Sequence, residues 1–131
     1  MTNELLIQKA ASVIRATQKP LGSVGDVGCA LLAENNTVYC GICADLGSNS
    51  FCAEKNAIAS MITDGIFGIQ KIVAVWKNDI GEIFVISPCG SCRQLIYDID
   101  SNNLHTEVIL DADKTVVLSD MLPYSNWWQK Q

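Results

Sequence analysis

Residues 52–76 have the sequence CAEKNAIASMITDGIFGIQKIVAVW, and this stretch decides the predicted fold. Its first part, residues 52–63, repeats apolar side chains at helical spacing and ends at the helix-closing pair Asp64-Gly65. Its last part, residues 71–76, is a short run of β-branched residues that is typical of a buried strand. A helix that leads into a buried strand is characteristic of an α/β protein.

On the amino-terminal side, the pattern predicts one helix and one hairpin. Residues 4–18 carry apolar residues at helical spacing and precede a proline and a glycine, so this helix is expected to end near Lys19. Residues 27–33 and 37–43 are apolar runs separated by three polar residues, which predicts an antiparallel hairpin.

On the carboxyl-terminal side, strands and a helix alternate again. Residues 82–86, 106–110 and 115–118 are predicted strands, and residues 89–99 have the apolar spacing of a helix. Strands separated by helices predict an α/β protein, a three-layer α/β/α sandwich around a mixed sheet of about five strands. We expect residues 1–131 to form a single domain of this kind.

The composition fits one ordered domain and argues against several functions. The chain has 131 residues, of which 49% are hydrophobic and 18% charged. Its net charge of -5 argues against a nucleic-acid partner, because such binding draws on clustered Lys and Arg. No apolar run approaches the roughly 20 residues that span a bilayer, and the amino terminus lacks the basic start of a signal peptide. We therefore expect a cytoplasmic protein without a membrane partner.

Six cysteines in this chain indicate metal ligands or buried thiols, since disulfides are rare in a reducing cytosol. Cys52 opens the helix predicted for residues 52–63, and Cys89 and Cys92 lie in the first turn of the helix predicted for residues 89–99. Unpaired amide N–H groups and the helix dipole favour thiolates there, and thiolates bind zinc. Because structural zinc sites usually have four protein ligands, three ligands and one vacancy predict a catalytic site.

Glu54 is the predicted acid–base residue of this site. It follows Cys52 by two residues, in the first turn of the same helix. Zinc lowers the pKa of a bound water to about 7, and a nearby carboxylate can take that proton and deliver it to the substrate.

Two motifs, Cys52-Ala53-Glu54 and Pro88-Cys89-Gly90-Ser91-Cys92-Arg93-Gln94, together resemble the three-cysteine form of the cytidine deaminase superfamily. The resemblance extends to the short nucleoside and blasticidin S deaminases, and Leu122-Pro123 is similar to the family's tail, which precedes an aromatic near the pyrimidine. It covers nearly the whole chain in element order. It implies zinc-dependent hydrolytic deamination of a cytidine-like aminopyrimidine, such as cytidine, deoxycytidine or blasticidin S, with release of ammonia.

The resemblance also implies a cofactor and partners. One Zn²⁺ per subunit would be held by Cys52, Cys89 and Cys92, with Glu54 as the catalytic residue. A cysteine as the first ligand favours a free small-molecule nucleoside over a polymer. The family further implies a homotetramer, or a homodimer, with active sites near the subunit boundaries.

The sequence departs from the family at the residues that hold the ribose. Cytidine deaminases carry an Asn and a Glu where this chain has Gly41 and Cys43. The candidate substrate-binding residues are therefore Cys43, Asp45 and Trp128. An exposed Asp45 would suit a cationic substrate, and Trp128 can stack on a base.

The remaining cysteines and charges near the motifs have simpler expected roles. Lys55 replaces the family's arginine beside the catalytic Glu, so we expect Lys55 or Arg93 to balance the thiolate charge. Cys29 and Cys40 are expected to be small core residues. His105 lies in a polar loop and is not expected to ligate the metal.

Three alternative functions remain at this level. The chain could be a zinc-bound module that binds without turnover, although an intact Glu54 argues against this. It could deaminate a different small amine-bearing heterocycle. A polynucleotide-editing deaminase is disfavoured by the acidic charge and by the cysteine at the first ligand position.

Overall fold

The computed structural model describes all 131 residues. The helices are α1 (Asn3–Ser12), α2 (Ala53–Thr63), α3 (Gly90–Ile99) and α4 (Leu118–Met121), and a 3-10 helix spans Ser101–His105. The strands are β1 (Thr17–Lys19), β2 (Gly22–Ala33), β3 (Val38–Leu46), β4 (Asn49–Phe51), β5 (Ile69–Lys77), β6 (Ile83–Ile86), β7 (Glu107–Asp111) and β8 (Lys114–Val117).

All of these strands belong to one mixed sheet. Its main path runs β4-β3-β2-β5-β7-β8, while β1 pairs with β2 and β6 pairs with β5. β5 and β7 are parallel, and the other pairs are antiparallel. The expected α/β class with a mixed sheet is confirmed, but the sheet has eight strands instead of about five. β1 and β4 add to the count because they are short, fully exposed strands without the apolar alternation that reveals a strand in a sequence.

The first helix is shorter than its apolar spacing predicts. It ends at Ser12, whereas the predicted helix covered residues 4–18. The backbone N–H of Arg15 donates to the carbonyl of Gly25 at 2.9 Å, and β1 then pairs antiparallel with the start of β2. Backbone pairing with the sheet replaces the last turns of the predicted helix.

Helices cover both faces of the sheet. On one face, α1 packs against a buried cluster that includes Ala30 of β2. On the other face, α2 and α3 pack against a cluster that includes Cys29 and Leu31 of the same strand. Successive side chains of a strand point to opposite faces, so β2 contributes to both cores. This arrangement matches the three layers that the sequence predicts.

The fold brings the first turns of α2 and α3 together. Lys55 Nζ of α2 donates to Ser91 Oγ of α3 at 2.7 Å. The two helix starts that carry the cysteine motifs are therefore neighbours. No helix has both the length and the apolar character needed to cross a membrane.

Candidate active site

Two of the three motif cysteines lie at the N-cap positions of helices. Cys52 caps α2 and Cys89 caps α3, both with extended backbone dihedral angles. Neither side chain makes a capping hydrogen bond, unlike the Ser, Thr, Asp or Asn usual at this position. Both sulfur atoms are consequently left for another partner, next to the positive end of a helix dipole.

The three sulfur atoms form one compact group. Cys52 Sγ lies 3.7 Å from Cys89 Sγ, and Cys89 Sγ lies 3.5 Å from Cys92 Sγ. All three lie within 4.8 Å of one another. Tetrahedral zinc with Zn–S bonds of about 2.3 Å separates its sulfur ligands by about 3.8 Å. The donor atoms and their spacing therefore fit one zinc ion, and the cluster can hold it.

The environment shifts the pKa values of the three thiols in different directions. Partial burial raises the pKa of Cys89, but the nearby amides of Cys92 and Ser91 and the neighbouring thiols outweigh it, so the pKa of Cys89 is lowered overall. Burial is the largest cause that raises the pKa of Cys52 and of Cys92, and the nearby Glu54 carboxylate raises both further. Three adjacent thiolates beside a carboxylate require a cation, which a divalent metal supplies.

Glu54 is a buried carboxylic acid beside this cluster. Its side chain is 5% exposed, and it makes no ion pair, since the only ion pair in the protein joins Lys71 to Glu107. Burial raises the pKa of Glu54, and its own backbone amide offsets part of that increase. A carboxyl group with a raised pKa accepts and returns a proton near neutral pH more readily than an exposed one.

A cavity of about 370 Å³ opens beside these groups. Cys52, Glu54 and Cys89 line it together with Cys43 and Asp45, whereas the buried Cys92 is not part of its lining. Its remaining walls are mostly apolar, formed by Val27, Ala44, Phe51, Ala53 and Ile86, with Ser50, Lys55 and Ser87 as further polar groups. The volume suits a small heterocyclic ligand with one substituent.

Cys43 is held by an acid that sequence reasoning missed. Its thiol donates to Asp26 Oδ1 at 3.1 Å, and Trp76 Nε1 donates to the other oxygen of Asp26 at 3.3 Å. Burial and the bond to Asp26 raise the pKa of Cys43. The signal for Asp26 was weak: an isolated acid directly before the apolar run of residues 27–33.

Gly41 occupies one of the family's ribose-binding positions, and the packing around it leaves no room for a side chain. A Cβ at Gly41 would lie 2.4 Å from the Ala57 nitrogen and 2.8 Å from the Ala53 carbonyl oxygen. β3 therefore packs directly against the backbone of α2. Asn56 Nδ2 of α2 adds a hydrogen bond to the carbonyl of Ile42 at 3.2 Å.

The two cations expected to balance the thiolates bond to other groups. Lys55 Nζ donates to Ser91 Oγ. The Arg93 guanidinium donates to Pro88 O at 2.9 Å, Ser87 Oγ at 2.9 Å and Met121 O at 3.3 Å. Neither side chain has a hydrogen bond to a cysteine sulfur.

The structure separates the candidate substrate-binding residues. Cys43 and Asp45 face the cavity, whereas Trp128 is 91% exposed and lies outside its lining. Cys29 is buried in the core on the α2 side, and Cys40 packs against the core on the α1 side. His105 ends the 3-10 helix and is not part of the sulfur cluster.

The sequence is similar to a known protein family over most of its length. The sequence model of the cytidine and deoxycytidylate deaminase zinc-binding region matches residues 1–107. A cytidine deaminase of Sporosarcina psychrophila is 35% identical over 102 residues, which are 74% of this chain and 71% of that protein. A blasticidin-S deaminase of Bacillus cereus is 41% identical over 59 residues, or 42% of each chain.

Solved structures share the fold over nearly the whole chain. The cytidine deaminase of Burkholderia pseudomallei superposes with a TM-score of 0.73 at 26% identity, covering 94% of this chain and 98% of that one. The cytidine deaminase of Mycobacterium tuberculosis superposes with a TM-score of 0.74 at 21% identity, covering 95% and 97%.

Proposed function

The chain belongs to the cytidine and deoxycytidylate deaminase family, and we propose that Cys52, Cys89 and Cys92 hold its zinc ion while Glu54 transfers the protons. It is a zinc-dependent hydrolytic deaminase of cytidine-like substrates. The observation that supports these residue roles is the cluster of three sulfur atoms together with one buried carboxylic acid, of which Cys52, Cys89 and Glu54 line a single cavity.

When bound, zinc supplies the Lewis acidity that makes water a nucleophile at neutral pH. Glu54 accepts a proton from the attacking water and passes it to the ring nitrogen, as the water oxygen bonds to the ring carbon that bears the amine. Glu54 then accepts the remaining water proton and delivers it to the amine, the C–N bond breaks, and ammonia leaves. The product carries a carbonyl oxygen in place of the amine, so one water is consumed for each ammonia released.

We further propose that the substrate is a nucleoside or a nucleoside analogue without a phosphate. Lys55 is the only cation that lines the cavity, and its Nζ already donates to Ser91 Oγ. The lining also contains Asp45, an exposed carboxylate without an ion pair. A phosphate bound beside Asp45 would face an unpaired negative charge, whereas a neutral or cationic substituent would not be repelled.

Cys43 and Asp45 are the side chains proposed to contact this substituent. Both line the cavity, and Gly41 offers no side chain for the same purpose. This proposal allows cytidine, deoxycytidine and blasticidin S as substrates. A different small amine-bearing heterocycle is the second candidate, because two of the family's ribose-binding residues are absent.

We propose that the chain acts as a homotetramer or a homodimer in the cytoplasm, with residues 1–131 forming one domain. Tyr124, Trp127 and Trp128 are 81%, 67% and 91% exposed, and burial of such aromatics against another copy would be favourable. In such an assembly Trp128 can approach the cavity of a neighbouring copy. Light scattering after size-exclusion chromatography tests this point, and a monomer at micromolar concentration would contradict it.

Ammonia release from the zinc-loaded protein tests the proposed function. We expect release from cytidine, deoxycytidine or blasticidin S, and at least tenfold slower release from deoxycytidine monophosphate. Adenosine serves as the control for a larger ring. Release from adenosine alone would contradict a pyrimidine substrate, and fastest release from the monophosphate would contradict the charge argument.

A further inference from the structure

We propose that Arg93 is a positioning residue that fixes the metal ligand Cys89 through the geometry of its guanidinium group and not through its charge. The inference rests on the proposed zinc site and adds a residue to it. It replaces the expectation that Arg93 pairs with a thiolate.

Arg93 joins three segments of the chain. Its Nε donates to the carbonyl of Pro88, its Nη2 to the hydroxyl of Ser87, and its Nη1 to the carbonyl of Met121. All three acceptors are uncharged oxygens, and the side chain is half-buried without any carboxylate partner. A planar guanidinium with donors in fixed directions suits this task better than a point charge.

The segment that Arg93 holds leads directly into Cys89. Ser87 and Pro88 connect the end of β6 to the N-cap of α3. None of the backbone hydrogen bonds outside helices and strands involves either residue. The bonds from Arg93 are therefore the hydrogen bonds that hold this connection, in addition to the burial of the Pro88 ring.

Cys89 needs such support more than the other two sulfur ligands. Cys92 is fully buried and Cys52 is half-buried, whereas Cys89 is exposed and its side chain makes no capping bond. Its sulfur position depends on the backbone of the preceding segment. The bond to Met121 ties that segment to the end of α4, where Leu118 is anchored in the core.

The rate of zinc release distinguishes a role for the guanidinium geometry of Arg93 from a role for its charge. In the full-length, zinc-loaded protein, we expect both Arg93→Lys and Arg93→Met to transfer zinc to a chromogenic chelator about 10–100-fold faster than the wild type. Lysine keeps the charge but cannot make the three bonds, so it should not rescue the variant. With Co²⁺ in place of zinc, the thiolate charge-transfer absorption should change in both variants.

Two further variants complete the test. Gln94→Ala should release zinc at the wild-type rate, because Gln94 is exposed and bonds only to Asp98 of the same helix. Ser87→Ala removes one of the three bonds and should accelerate release by a smaller factor. A wild-type release rate in Arg93→Lys would show that charge is what matters, and would overturn the proposal.

The positioning role of Arg93 can be tested even if both Arg93 variants fail to fold. If circular dichroism shows both Arg93 variants unfolded, Ser87→Ala decides, and an unchanged release rate there would overturn the positioning role. A wild type that binds zinc but deaminates no cytosine compound would contradict the proposed function alone. A wild type that binds no zinc would contradict the metal site on which both depend.

Discussion

Glu54 is the residue on which the proposed proton transfer depends. It is buried, has no ion pair, and lies beside the sulfur cluster on the shared cavity. Glu54→Gln keeps the size of the side chain but removes its ability to accept and return a proton. We expect kcat to fall by about 100- to 10,000-fold, measured as ammonia release.

Zinc content distinguishes this effect from loss of the metal. Glu54→Gln should bind zinc as the wild type does, because Glu54 is not a proposed ligand. Glu4→Gln, an exposed acid on α1, is the matched control and should leave both properties unchanged. Near-normal turnover in Glu54→Gln would show that another group moves the protons.

Asp45 is an exposed carboxylate in the lining of the cavity, and it is proposed to contact the substituent of the substrate. Asp45→Asn keeps the shape but removes the carboxylate. We expect KM for a cytosine compound with a cationic side chain, such as blasticidin S, to rise by up to about fivefold, which is what an exposed ion pair is worth. KM for neutral cytidine should change by less than about twofold on the same scale. Equal changes for both substrates would argue against a charge-selective role.

At the scale of elements, the contact between β3 and α2 determines where the first metal ligand and Glu54 lie. Gly41→Ala would press a methyl group into the backbone of α2, because the nearest atom is 2.4 Å away. We expect a loss of about 1–3 kcal/mol in the free energy of unfolding, measured by urea denaturation. Weaker zinc binding should accompany it.

Gly90→Ala is the matched control for this substitution. A Cβ at Gly90 meets no atom within 4 Å, and the residue lies at the start of α3. This variant should be as stable as the wild type or slightly more stable. Wild-type stability in Gly41→Ala would mean that α2 moves aside without cost.

The 3-10 helix Ser101–His105, which the sequence pattern did not predict, is held in place by the side chain of Asn103. Asn103 is 2% exposed and bonds to Ile69 N, Phe67 O and Ile96 O, each at 2.9 Å. Asn103→Ala leaves these buried groups unpaired. We expect a loss of about 3 kcal/mol in the free energy of unfolding.

Asn102→Ala provides the comparison for this position. Asn102 is exposed, and its backbone, not its side chain, bonds to Asp100. Its free energy of unfolding should stay within about 0.5 kcal/mol of the wild type. Similar midpoints for the two variants would show that the Asn103 bonds are not needed for stability.

At the scale of the whole molecule, zinc should couple the active site to stability. The three proposed sulfur ligands lie at the starts of α2 and α3, so the metal would link two helices that the chain connects only through β5 and β6. Zinc at a free concentration 100 times its Kd stabilises the folded state by about 2.7 kcal/mol. Removing it with a chelator should lower Tm by about 10 °C, and adding zinc back should restore it.

The variant Cys89→Ala is the control for chelation. It lacks one proposed ligand, so its Tm should not respond to the chelator. Equal chelator sensitivity in this variant and the wild type would remove Cys89 from the ligand set.

Periodicity located most elements, because apolar spacing is a local property of the chain. The helices α2 and α3 and the hairpin of β2 and β3 lie at the predicted places, although β2 begins at Gly22 instead of residue 27 and β3 extends to Leu46 instead of residue 43. The predicted end of α1 was wrong, since the backbone N–H of Arg15 donates to the carbonyl of Gly25 in β2. β1 and β4 were missed, because exposed strands are defined by their backbone partners and not by their side chains.

By itself, the sequence determined the α/β class and the candidate donor set of Cys52, Cys89 and Cys92, and it proposed Glu54 as the acid beside it. These follow from residue type and spacing along one chain, since cysteines at helix starts favour metal binding and the two motifs lie in separate predicted helices. Only the tertiary structure decided the sulfur separations, the approach of Asp26 to Cys43 and the bonds of Arg93 to Ser87, Pro88 and Met121. Most of these contacts join residues far apart in the chain, and the packing of the whole sheet and its helices fixes them.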